Sequence, residues 1–282
     1  MKTTKNIIYT ITPPRQFSLQ LKELWQFREL FYFFSWRDIK VKYKQTLLGF
    51  LWAILQPLVM MSIFILFFAK SLKLSTDGMP PAIFYYSGLL LWNLFSSGIS
   101  NAGNSMISHA SIIKKVYFPR LIIPLSSVLT ACFDFLMALL VFFFILLYYY
   151  FTLDFTFPVG TFFLYLFLGL SLSMLTAFGA GTLLASLNVK YRDFRYIIPF
   201  LVQFLFFVTP VIYPISVVAD ERLSYLLALN PMTGAIQLMR TSFTNVPLDP
   251  VLLGISVAAA IVIFMLGIFN FKRTEAYFAD LA

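Results

Sequence analysis

The chain has 282 residues, of which 60% are hydrophobic and only 12% charged, and its mean hydropathy is +0.84. This excludes an ordinary soluble domain and points to an integral membrane protein. The net charge of +9 has no soluble basic domain to carry it, so it does not read as nucleic-acid binding, and the single Cys132 excludes a disulfide framework.

Residues 1–16 are polar, contain Pro13 and Pro14, and show no cleavable signal peptide. Residues 17–34 read as an amphipathic helix, with Phe17, Leu21, Leu24, Phe27, Phe31 and Phe34 on one side and Lys22, Gln26 and Glu29 opposite. It is expected in the plane of the membrane interface with its apolar face toward lipid, as a plain anchor or as a relay of motion to the first span. Arg37, Lys40, Lys42 and Lys44 follow and suit anionic head groups.

Crossing about 30 Å of hydrocarbon takes roughly 20 apolar residues. Six runs qualify, near 48–69, 82–107, 119–150, 159–187, 197–214 and 251–271. This divides the chain into a cytoplasmic N-terminal part (1–47), a six-span membrane domain (48–271) and a short tail (272–282). Of the 21 Lys and Arg, only Lys70, Lys73, Arg222 and Arg240 fall on the side opposite both termini. By the positive-inside rule both termini are expected in the cytoplasm.

The second run changes character along its length. IFYYSGLLLWNLF is apolar, whereas Ser96, Ser97, Gly98, Ser100, Asn101, Gly103, Asn104 and Ser105 follow. Such residues fit close helix packing or a wet cavity equally well. Between the second and third runs lies SHASIIKKVYFPR (108–120), which holds His109, the only histidine. Ile112, Ile113, Val116 and Phe118 make an apolar ridge around Lys114 and Lys115, and Pro119 opens the next helix. The loop is either a turn on the lipid surface or a knob for a soluble partner. Asp134 is the one acidic residue deep in a run, and a buried hydrogen bond to a Ser or Thr is its expected role. Tyr148, Tyr149 and Tyr150 read as an interfacial belt, and Gly169, Gly179, Ala180 and Gly181 permit close backbone contact.

NVKYRDFRY (188–196) forms a second basic loop, and Tyr196, Phe200, Gln203, Phe204 and Phe207 then recur on one helical face. Aromatic rings stack on sugar C–H faces and an amide bonds hydroxyls, so this face suits a glycan conduit; contact with lipid is the plainer alternative. Residues 215–250 are too polar to span. They hold two short helical patterns broken at Asn230-Pro231, a turn and helix start, which are expected to re-enter the outer leaflet. None of the glycines opens a GxxxxGK[ST] phosphate loop, and no metal or triad signature is present.

Four stretches together resemble the membrane subunits of type-2 ABC exporters for O-antigen and teichoic-acid polysaccharides: RDIKVKYKQTLLGFLWAILQP, IIKKVYFPRLIIPLSS, NVKYRDFRYIIPF and LNPMTGAIQLMR. They run from Arg37 to Arg240, nearly the whole chain. The resemblance implies an all-α bundle of six spans with an interfacial N-terminal helix and re-entrant external helices. It also implies a homodimer served by two separate ABC ATPase subunits that bind ATP and Mg, so that no cofactor belongs to this chain. Its cargo would be a lipid-linked polysaccharide crossing a bacterial inner membrane. His109, Ile112, Ile113, Lys114, Lys115, Val116, Phe118, Pro119, Arg192 and Asp193 would then couple to the ATPase. Trp52 and Gln56 would join the aromatic face as conduit lining, and Tyr213, Asn230, Pro231 and Met232 would close it outside. An exporter of a drug or small lipophile is the neighbouring alternative; a secondary carrier or membrane glycosyltransferase would need charged relays or acidic clusters that the sequence lacks.

Overall fold

The computed structural model describes residues 21–44, 47–191, 193–244, 246–275 and 278, and among these every regular element is helical. Phe17, Arg192 and most of the C-terminal tail lie outside the described residues.

The chain enters through α1 (Leu21–Gln26) and α2 (Arg28–Tyr43), which part at Phe27, where ψ is 20°. The expected apolar face forms, but it turns toward the protein rather than toward lipid. Leu24, Phe27 and Phe31 pack on a core of Phe34, Met106, Ile113, Phe118, Leu121 and Phe271. Trp25, Tyr32, Phe33, Trp36 and Val41 are the large apolar side chains left exposed. Burying Phe34 against its own chain removes more apolar area from water than a headgroup layer would. The basic stretch after residue 36 is helical too, continuing α2 to Tyr43.

α3 (Leu47–Phe64) contains Pro57 and runs on into a π-helical segment, Ile65–Ser71. α4 (Pro81–Ser108) starts on a proline, whose missing N–H costs nothing in the first turn. It is the axis of the bundle, with every residue from Ala82 to Trp92 buried. α6 (Ile122–Leu153) and α7 (Val159–Lys190) flank it, α3, α8 (Phe194–Val208) and α10 (Pro231–Thr241) pack around it, and α11 (Pro250–Thr274) closes on the far side of α7. Two short helices complete the chain, α5 (Ala110–Ile113) in the basic loop and α9 (Glu221–Ala228) before α10.

Small residues set these approaches. A Cβ on Gly267 of α11 would lie 2.0 Å from the Gly179 carbonyl oxygen of α7, and one on Gly98 of α4 would lie 3.0 Å from Ala177 Cβ. No larger residue fits the first contact without moving a helix.

Four stretches among the described residues are long and apolar enough to cross a membrane: Leu51–Ser71, Ile122–Leu153, Val159–Lys190 and Pro250–Thr274. The protein is therefore a multi-pass membrane protein. The other two expected spans differ for separate reasons. α4 has the length, about 42 Å at ~1.5 Å per residue, but its second half is polar. α8 has 15 residues and stops at Val208, short of the expected limit at residue 214, because Thr209 takes an extended conformation (ψ 138°) ahead of Pro210. Pro199 lies inside α8, in its second turn, and leaves the Arg195 carbonyl without its i→i−4 donor.

α6 is longer than a bilayer needs. From Asp134 to Leu153 it rises about 28 Å at ~1.5 Å per residue, roughly the whole hydrocarbon thickness. Counted from Leu153, Asp134 thus lies about one hydrocarbon thickness along α6, and the turns from Ile122 to Thr130 lie further on.

Candidate functional site

The basic loop is built on a small core. α4 ends at Ser108, His109 takes a non-helical conformation (φ −108°, ψ 13°), and α5 makes one turn before the chain swings into α6. Ile113 and Phe118, 6% and 3% exposed, point into the core shared by α2, α6 and α11. Pro119 is buried and Ile112 half-buried. The apolar ridge expected to project is therefore largely turned inward. What projects is Lys114, Lys115, Val116 and Tyr117, the last 69% exposed. Tyr117 is the functional candidate that sequence reasoning missed; its place in the KKVYF run was the available signal. At the base, the Arg120 guanidinium donates to the Glu275 backbone carbonyl, and Lys272 pairs with the Glu275 carboxylate at 2.8 Å, so the end of α11 braces the loop.

His109 is 7% exposed and serves as an internal strut. Its Nδ1 lies 2.8 Å from the Ser105 carbonyl, which only accepts, so Nδ1 carries the proton and donates. Nε2 is then the acceptor for the Arg37 guanidinium of α2. Arg37 also donates to Asp38 through Nε at 3.1 Å and Nη2 at 2.8 Å. Burial alone would raise the Asp38 pKa, but the hydrogen bonds and positive charge of Arg37 outweigh it and leave the carboxyl below its usual range. A second tie lies higher on the same helix. Lys42 Nζ is 2.5 Å from Asp134 Oδ2, and the Tyr43 hydroxyl donates to the other carboxylate oxygen. This corrects the expected partner of Asp134, which is a cation and a phenol on α2 rather than a Ser or Thr within the bundle. α2 consequently runs from the basic loop at Phe34 to Asp134 at Tyr43, along α6.

The aromatic face of α8 is present and open. Tyr196 and Phe200 are 79% and 71% exposed, with Gln203, Phe204 and Phe207 exposed beside them. The reverse side holds the bundle: Ile198 is buried against Gly103, and Phe206 packs on Trp92 and Phe64 with ring centroids 5.4 and 6.0 Å away. Trp52 and Gln56 on α3 are also exposed. On α4 the two readings of the polar half separate by face. Gly98, Ala102, Gly103 and Ser105 are buried in helix contacts, whereas Asn93, Ser96, Ser97, Ser100, Asn101, Asn104 and Ser108 are not, and they form one stripe at helical spacing. Asp193 is exposed on the second basic loop, and Arg192 lies outside the described residues.

At the opposite end, Asn230 caps α10: its Oδ1 accepts from Met232 N at 3.1 Å and its Nδ2 donates to Thr209 Oγ1 at 2.7 Å. Pro231 and Met232 are buried in the chain's own core, and the Tyr213 hydroxyl donates to the Val208 carbonyl. These residues position the outer helices. Arg240, expected on the external surface, is instead 7% exposed. It donates to the carbonyls of Pro210, Val211 and Phe84 at 2.6, 2.7 and 3.2 Å and stacks 3.6 Å from the Phe84 ring centroid. It ties α10 to the segment after α8 and to α4 through their backbone carbonyls.

Apolar helices around a polar-striped central helix, with a basic tip at one end and an open aromatic face, define the membrane part of a transporter. The chain belongs to the ABC-2 type transporter family, whose model matches residues 29–244. It is 30% identical over 260 residues to the O-antigen export system permease protein RfbA of Myxococcus xanthus, covering 90% of this chain and 96% of that one. A protein of the same name from Klebsiella pneumoniae is 27% identical over 259 residues, 87% and 92% of the two chains. The polysialic acid transport protein KpsM of Escherichia coli is 23% identical over 205 residues, 72% and 77% of the two.

Proposed function

We propose that this chain is the membrane-spanning subunit of an ATP-driven exporter that moves a lipid-linked polysaccharide across a bacterial inner membrane. All six long helices cross the bilayer, both termini face the cytoplasm, and α9 and α10 re-enter from outside. Two copies form the conduit. ATP and Mg are bound by two separate ATPase subunits, which grip the basic loop.

The observation that carries the reading is the open face of α8. Large aromatic rings stand along one side with Gln203 among them, while Phe206 on the other side is packed inside. An amide facing hydrocarbon would be left without partners, whereas rings and an amide on a wet wall suit a chain of sugar rings. The names of the relatives, two O-antigen export permeases and a polysialic acid transport protein, agree with that cargo. The drug-exporter alternative gains no support from this amide-bearing face.

The test is copurification from membranes of a host that expresses this chain with the ABC ATPase encoded nearest to it. A stable assembly of two copies of each chain is expected. A monodisperse chain that never retains the ATPase, in several mild detergents, would overturn the reading.

A further inference from the structure

Between α2, α4 and α6 lies an open cavity of about 580 Å³, at the end of the α4 polar stripe. Its lining includes Arg37, Lys42, Ser100, Asn101, Asn104 and Ser108. We infer that this cavity receives the phosphate head group of a membrane lipid, with Arg37, Lys42 and Asn101 as its principal donors.

Donor supply is the first argument. Asp38 and Asp134 hold the two cations in place without exhausting them. Arg37 uses Nε and Nη2 on Asp38 and His109, and among the described residues Nη1 makes no bond. Lys42 spends one of three N–H groups on Asp134. The Asn101 amide and the Ser100 hydroxyl are likewise uncommitted within the described chain. Several fixed donors converging on one space suit a group that carries several acceptor oxygens on one atom, as phosphate does.

Depth is the second argument. With Leu153 set at one edge of a ~30 Å hydrocarbon layer, Asp134 falls at the other, and Thr130 of the cavity lining lies about 6 Å beyond it at ~1.5 Å per residue. The head-group region extends roughly 5–8 Å past the hydrocarbon on each side. The cavity thus sits where lipid phosphates reside. Because the two carboxylates offset the two cations, a free phosphate gains little net attraction there, and the tail that anchors a lipid at this depth decides in favour of the lipid. The inference rests on the export reading only for the idea that the lipid is the carrier of the cargo.

The experiment uses the purified full chain in dodecyl maltoside micelles, which carry no phosphate, titrated with farnesyl phosphate, farnesol and inorganic phosphate by microscale thermophoresis. Farnesyl phosphate is expected to saturate, and Asn101→Leu and Lys42→Gln each to weaken it about tenfold, the size of a lost hydrogen bond to a charged group. Farnesol and inorganic phosphate are expected not to saturate over the same range. Asn101→Leu removes no internal bond, so its thermal transition should match the parent's. Parent-like binding by both variants, or equal binding of farnesol or of inorganic phosphate, overturns the inference. Polysaccharide export measured on the same variants separates the two readings. Export by the parent alongside phosphate binding that ignores these residues sinks the site alone. Residue-dependent binding in a chain that exports no glycan sinks the export reading alone.

Discussion

Lys42 and Asp134, ninety-two residues apart, meet at 2.5 Å and fasten the N-terminal helix to α6. Lys42 is close to half exposed at 45% and Asp134 19% exposed, so water screens the pair and its worth is about 1 kcal/mol. Lys42→Gln should lower the unfolding temperature in detergent slightly. Asp134→Asn should lower it further, because Tyr43 also loses its charged acceptor. The exchange Lys42→Asp with Asp134→Lys should recover part of the loss. Equal transitions for the parent and all three variants would show that the tie contributes nothing.

At the basic loop, burial separates two residues that look alike in sequence. Ile113 is core, and Ile113→Ala should cost roughly 2–5 kcal/mol of stability. Tyr117 is exposed and carries an aromatic ring suited to a central anchor in a partner groove. Tyr117→Ala should therefore abolish ATPase copurification with an unchanged unfolding temperature. Lys114→Ala, a rim charge, should have a milder effect that fades at high salt. Full ATPase retention by Tyr117→Ala would move the grip elsewhere.

How much of this was legible in the sequence follows from the range of the interactions. The long helices announce themselves because an apolar run is a local property, and Asn230-Pro231 marks the start of α10 through its own turn chemistry. Partners across the bundle leave no such mark. Nothing near Asp134 names Lys42, and nothing near Arg240 shows that the carbonyls it binds belong to Phe84, Pro210 and Val211. Short irregular stretches hide their orientation as well. Ile113 and Tyr117 are both large and apolar, and only the fold of α5 onto α2 decides that one is inside. The α8 face was readable as a face from its period, but not as an open one.

Phe200→Ala and Phe204→Ala on that face should each reduce polysaccharide export several-fold while expression, ATPase binding and unfolding temperature stay at parent values. Phe206→Ala should instead lower stability by roughly 2 kcal/mol, since it is partly buried against Trp92 and Phe64. Equal export loss for all three at equal stability would argue against a directional lining.

Arg240 holds the outer segment through the backbone carbonyls of Pro210 and Val211. Arg240→Met would strand those carbonyls in a buried place and cost on the order of 3 kcal/mol. Gly88→Val should act similarly, because a Cβ there would lie 2.7 Å from Arg240 Nη2. Limited proteolysis of the segment between α8 and α9 should speed up in both variants. Cleavage at the parent rate would show that the arginine is dispensable.

The central claim, that this chain conducts a lipid-linked polysaccharide under the drive of a partner ATPase, meets its most direct test in the reconstituted complex. ATP hydrolysis is measured in proteoliposomes with and without the lipid-linked polysaccharide of the source cell. The account predicts hydrolysis that rises several-fold with the glycan and loses that rise in Tyr117→Ala and Phe204→Ala. Hydrolysis indifferent to glycan but stimulated by small lipophiles would contradict it.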